Sequence, residues 1–146
     1  MIIRNMTISD YDKVYALWTM TPGMGLNDLD DSRQGIEKYL CRNPKTCFVA
    51  EKNKSIVGVI LSGHDGRRGY IHHTAVALSE RENGIGTALV SAAMDSLKRE
   101  GINKLSLVVF SKNVSGNSFW EKRGFTARED LIYRNKEINR LKRMDT

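Results

Sequence analysis

Residues 76–89 read VALSERENGIGTAL, two glycines two apart at a point where an apolar stretch gives way to helix-forming residues. A helix N-terminus exposes unpaired backbone N–H groups and the positive end of its dipole, and glycines let a phosphate approach them closely. The chemistry this spacing offers is an anion cradle, with an ordinary glycine turn as the alternative. A nucleotide-hydrolase loop would need GxxxxGK[ST], and no such lysine is present. A dinucleotide fingerprint would need glycine at position 89, which is Leu89. What is present is R-x-x-G-x-G, as Arg81, Gly84 and Gly86.

Just upstream, the strand-like run 70–76 carries two histidines. Alternation places Tyr70, His72, Thr74 and Val76 on one face and Ile71, His73 and Ala75 on the other. A histidine with a pKa of ~6.5 suits proton transfer at neutral pH, so His72 is a candidate base; a structural histidine bonded to a neighbour is the other reading, weightier for His73. The loop carrying Asn27, Asp28, Asp30 and Asp31 has acidic groups that would attract a protonated amine, or else Asp31 or Ser32 caps a helix. Trp18, Met20 and Met24 could floor an apolar pocket. The basic turn Gly66, Arg67, Arg68, Gly69 would suit an acidic substrate instead, and the sign of a substrate stays open.

The elements that must position these groups follow from apolar spacing. Residues 1–6 suggest an edge strand, and Ser9 with Asp12 can cap a helix whose apolar face is Val14, Leu17 and Trp18. Turn residues fill 21–32, and a second helix runs from Ser32 to before Pro44. An antiparallel meander is expected over 46–52, 55–61 and 70–78, with Asn53 and Lys54 as a tight hairpin. A helix spans about 86–99, a fully buried strand 105–110, a further helix 115–123, and a last extended stretch 125–133. The order βαα-βββ-αβ-αβ is mixed α/β.

With 146 residues, 40% of them hydrophobic and 27% charged, the chain suits a single domain over 1–146. No apolar run approaches the ~18 residues of a membrane span, and residues 1–10 lack a charged-then-apolar signal pattern, so a cytoplasmic location is expected. Cys41 and Cys47 have no matching histidine pair, which leaves zinc and redox motifs unsupported. The net charge of +6 fits nucleic acid, membrane headgroups or a phosphorylated cofactor. Its C-terminal cluster, Arg134, Lys136, Arg140, Lys142 and Arg143, reads as a solvated tail.

A second segment adds to the glycine turn. Asn113, Gly116 and the run Phe119, Trp120, Glu121, Lys122, Arg123, Gly124, Phe125 resemble N-x-x-A/G-x-x-x-[Y]-E-K-x-G-F. Together the two motifs, and the element order up to Phe125, resemble the GNAT superfamily of N-acetyltransferases. That resemblance implies a central, mostly antiparallel twisted sheet of six to seven strands with a V-shaped splay, flanked by four helices. It implies acetyl-CoA as cosubstrate and no metal. The pyrophosphate would be wrapped by the amides of Glu82, Asn83, Gly84, Ile85, Gly86 and Thr87, with Arg81 and Lys122 assisting.

Val76, Ala77 and Leu78 would then bond the pantetheine arm and acetyl carbonyl, the Val76 N–H serving the oxyanion. A β-bulge in that strand would splay it from the next, and Asn113 and Trp120 would face the cofactor. Family members carry base or water-holding residues at the positions of Tyr70 and His72. Trp120 stands where a tyrosine acid is common, and an indole N–H is no useful proton source. Tyr133, a water on Asn113, or no acid at all would fill that role. The implied activity is acetyl transfer to a primary amine of a small molecule or peptide by direct attack, with no acyl group on Cys41 or Cys47. A protein N-terminus or lysine is the second form of acceptor. A noncatalytic acyl-CoA- or nucleic-acid-binding module is the alternative of another class. Membrane and nucleic acid are disfavoured as partners, and a homodimer is the default.

Overall fold

The apolar alternation of the first half builds four strands that pair antiparallel in chain order: β1 (Ile2–Asn5), β2 (Phe48–Lys52), β3 (Ser55–His64) and β4 (Gly69–Val76). β5 (Leu105–Ser106) joins β4 in parallel, completing the order β1-β2-β3-β4-β5. These elements belong to a computed structural model that describes residues 1–144. Asn53 and Lys54 both take left-handed φ, 51° and 65°, as a two-residue hairpin requires.

Helices cover both faces of the sheet. α1 (Tyr11–Thr19) and α2 (Arg33–Arg42) pack Val14, Leu17, Trp18, Ile36 and Leu40 against Val49, Val59, Leu61 and Ala75. On the opposite face α3 (Ile85–Arg99) lays Ile85, Leu89, Val90 and Ala93 on Phe48, Ala50, Ile60 and Ile71. α4 (Val114–Lys122) adds Phe119 and Trp120 at the margin of that second core.

The helix starts show local chemistry at work. Ser32 Oγ accepts the Gly35 N–H at 3.0 Å, capping α2. α1 is not capped by Ser9: a 3₁₀ turn, Ile8–Asp10, leads into it, and the Asp10 carboxylate accepts the Thr7 N–H at 2.9 Å. Asp10 wins this role over Asp12 because it also receives the Arg4 guanidinium at 2.8 Å, which holds its carboxyl below the ordinary aspartate range. Asp12 pairs instead with Arg33 on the surface.

The second half departs from expectation in two places. Only Leu105 and Ser106 of the stretch 105–110 pair, opposite Gly69 and Tyr70, and the side chains then alternate between half-buried and exposed as far as Phe110. The stretch 125–133 forms no strand. The sheet therefore has five strands among the described residues, not six to seven. The cause is the departure of β4: once it leaves β5 after Tyr70, residues 107–110 have no ladder to join and give the following chain no paired edge.

Part of the basic C-terminus is not a free tail. The Asp28 N–H donates to Lys142 O and the Met144 N–H to Leu26 O, making a bridge of Asn27 with Arg143, whose guanidinium lies over the Phe110 ring at 5.2 Å. Arg134, Lys136 and Arg140 are exposed.

α2 and the loop before it meet at Gly35. A Cβ there would lie 2.3 Å from Leu29 O and 2.4 Å from Asp30 O, both backbone atoms that cannot swing aside. Gly35→Ala should lower stability by about 1–3 kcal/mol, read as a reduced denaturation midpoint; an unchanged midpoint would show that the loop yields freely.

Candidate active site

β4 carries one more residue than β3 between the pairs Val59–Ala75 and Leu61–His72, and His73 absorbs it with a left-handed φ of 39°. The bulge is held from the α1 side. The indole N–H of the fully buried Trp18 donates to His73 O at 3.1 Å. His73 Nε2 meets Asp31 Oδ1 at 2.7 Å, and Asp31 Oδ2 accepts the Asn27 N–H at 2.7 Å. Asp31 is buried, so its carboxylate needs these partners. An ionised carboxylate can only accept, so the Nε2–H is the donor of this pair.

Bent in this way, β4 parts from the chain after β5 and opens a cleft of about 420 Å³, with His72, His73, Thr74, Val109, Trp120 and Tyr133 among its walls. Thr74 Oγ1 is buried there without a hydrogen-bond partner. The Ala77 N–H donates to Val57 O, so alternation along β4 turns the neighbouring Val76 N–H away from β3, toward the gap. Val76 O on the same side receives Arg81 Nε at 3.2 Å. Ala77 is fully used, since its carbonyl accepts the Glu80 N–H.

Beyond the end of β4 stands the N-terminus of α3, whose Gly86 faces the Val76 side chain. Its first intrahelical bond runs from the Ala88 N–H to Gly84 O, which leaves the amides of residues 84–87 pointing out. Gly84 takes φ 80° and Glu82 φ 64°, so the turn curls through left-handed backbone. A Cβ on Gly86 would sit 2.8 Å from Phe119, the contact that seats α4 on α3. Arg123 lies across this junction, bonded to Thr87 Oγ1 and Phe119 O, with its guanidinium 3.8 Å from the Phe119 ring centroid. Lys122 is exposed on the last turn of α4.

His72 stands at the centre. Its ring lies 4.6 Å from that of Tyr70, 5.7 Å from Tyr39 and 6.1 Å from His73, while one side is open to the cleft. Desolvation foremost, then the neighbouring His73, pushes its pKa down to about 4, with Asp31 and Asp30 pulling it back. Water in the open cleft relieves part of that desolvation, and a filled cleft restores it. Tyr70 is raised by burial and then by Tyr133, so it holds its proton at neutral pH. Asn113 borders the cleft, but its Oδ1 caps α4 by accepting the Gly116 N–H at 2.9 Å, leaving only Nδ2 to donate.

The model of the acetyltransferase (GNAT) family matches residues 11–125. The chain belongs to that family. It is 30% identical over 132 residues to an acetyltransferase of Yersinia pestis (strain Pestoides F), covering 90% of this chain and 92% of that one. Its fold is that of Ard1 from Thermoplasma volcanium, at TM-score 0.76 and 22% identity, covering 86% and 82% of the two chains. It is also that of a predicted acetyltransferase from Clostridium acetobutylicum solved with acetyl-CoA, at TM-score 0.72 and 20% identity, covering 92% and 95%.

For a GNAT protein the features above suit coenzyme A: open amides and a left-handed turn for its phosphates, and an orphaned threonine hydroxyl in a gap for its amide-rich arm. Tyr70 and His72, both on β4, and the distant Tyr133 line one cleft. The sequence reading missed the pairing of His73 with Asp31 and the placement of Arg123. Strict alternation hides the first, because the bulge turns His73 toward α1; the WEKRGF run contained the second. Trp18 is core and Met20 is exposed, so of the three apolar floor candidates only Met24 borders the cleft. Cys47 is buried and its thiol is pushed up to about 12, unsuited to carrying an acyl group, while Cys41 is exposed and outside the cleft.

Because folding lowers the His72 pKa, the unfolded chain binds more protons between about 4 and 6.5. The stability linked to this group is full above that window and lost as pH falls through it. Denaturation midpoints measured across pH 4 to 7 should show this slope, and His72→Asn should flatten it; an equal slope in the variant would contradict the shift.

Proposed function

We propose that the protein is an N-acetyltransferase that moves the acetyl group of acetyl-CoA to a primary amine by direct attack, residues 1–146 acting as one cytoplasmic domain. The observation that carries this reading is the meeting of two clefts at His72 and His73, one between β4 and the chain after β5, bordered by Asn113 and Trp120, and the other opening beside α2. Acetyl-CoA supplies an activated thioester carbonyl. The amides of residues 82–87 hold its pyrophosphate, with Arg81 and Lys122 nearby and Arg123 bracing the turn through Thr87. Val76 N–H and Thr74 Oγ1 orient the arm and polarise the carbonyl oxygen.

His72, neutral at physiological pH, takes the proton the amine gives up as its C–N bond forms. His73, fixed by Asp31, keeps β4 bulged so that His72 faces the reacting nitrogen. Tyr133 returns a proton to the departing sulfur, and Tyr70 orders the His72 ring. Trp120 meets Phe119 and Phe125 edge to face and shapes the wall.

Thiol release from acetyl-CoA against a panel of amines tests the activity. His72→Asn should lower kcat about 100-fold, leave CoA affinity near its native value, and abolish an acid limb of the kcat profile lying well below 6.5. An unaltered kcat and pH profile would remove His72 from the proton path.

A further inference from the structure

The second cleft, of about 480 Å³, runs along α2 from the His72–His73 floor, and its walls carry opposite charges at opposite ends. At one end Asp30 is exposed, its carboxylate taking a bond from Asn27 Nδ2 at 3.0 Å. Beside it Asp31 is occupied by His73. Asp30 and Asp31 are the carboxylates whose field reaches His72. Toward the other end stand Lys38 and Arg42, both exposed and without a carboxylate partner among the described residues. They are one turn apart on α2, on the stripe shared with Gly35 and Tyr39.

The spacing sets a length. Gly35 abuts the Asp30 carbonyl and so marks the acidic end. From Gly35, Lys38 lies ~4.5 Å and Arg42 ~10.5 Å along the helix axis. An α-amino acid, with its two charges one carbon apart, is too short to use both ends. Two to three extended residues, at ~3.3–3.6 Å each, match.

Resting on the acetyltransferase reading of the site, we infer that the acceptor is a peptide-like amine with a carboxylate two to three residues from its nitrogen. Its ammonium is received at Asp30 beside His72, and its carboxylate lies on Lys38 and Arg42. A short free peptide offers that carboxylate at its C-terminus; a longer chain offers it on an acidic side chain.

Equilibrium binding to the CoA-loaded protein tests the inference without requiring turnover. Triglycine should bind about five- to tenfold tighter than triglycinamide, and the double variant Lys38→Ala/Arg42→Ala should bring the ratio close to one, with CoA affinity as the control for folding. A longer amidated peptide with aspartate at position three, set against its asparagine counterpart, distinguishes the two sources of carboxylate. Equal binding of triglycine and triglycinamide, together with equal binding of the aspartate and asparagine peptides, overturns the inference. So does a preference for the carboxylate that survives the double variant. Absence of thiol release with every amine would instead defeat the acetyltransferase reading and leave these affinities to be judged separately.

Discussion

The bulge of β4 at His73 lies where two clefts meet and shapes both. A non-glycine residue held at left-handed φ is strained, and here three bonds from outside the sheet surround it: Trp18 to the His73 carbonyl, His73 to Asp31, and Asp31 to the Asn27 amide. Each of the three involves a buried side chain, Trp18 or Asp31, which makes the geometry a property of packing rather than of the strand alone. The consequence is the early separation of β4 from β5. A sheet closed along that line would have no gap and no outward Val76 amide. The same pin brings the acidic loop after α1 against the histidines, so one device builds both clefts.

Charge has a smaller part in the cofactor end than the net +6 suggests. The open amides of α3 belong to the backbone, Arg81 is engaged with Val76 O, and Arg123 is engaged with Thr87. Lys142 and Arg143 lie in a segment that straps the loop carrying Asn27 and Asp28, and Arg143 covers Phe110. Part of the basic C-terminus thus holds the loop before α2 in place. The charges left without carboxylate partners at a cleft are Lys38 and Arg42, on a helix that composition alone would not single out.

Much of the arrangement was legible because it is local. Turn chemistry at Asn53 and Lys54, the Ser32 cap and the glycines of the α3 turn act over a few residues, and each appears where spacing placed it. The capping of α1 was misread because Arg4, from a different element, selects Asp10 over Asp12. The fifth strand stops at Ser106 for a similar reason: 105–110 is apolar enough to pair, but the bend of β4 removes its partner, and the expected sixth strand, 125–133, finds no paired edge. The His73–Asp31 pair joins residues 42 apart and depends on the bulge. No periodicity within either segment could announce it.

Receipt of coenzyme A by the bulge-made gap and the α3 turn together is open to direct measurement. Amide NMR of the isotope-labelled protein titrated with CoA addresses it residue by residue. The largest shifts should fall on Thr74, Val76 and the amides of residues 82–87. Shifts centred on the Arg67–Arg68 turn or on residues 134–143, with the gap and the α3 turn undisturbed, would contradict it.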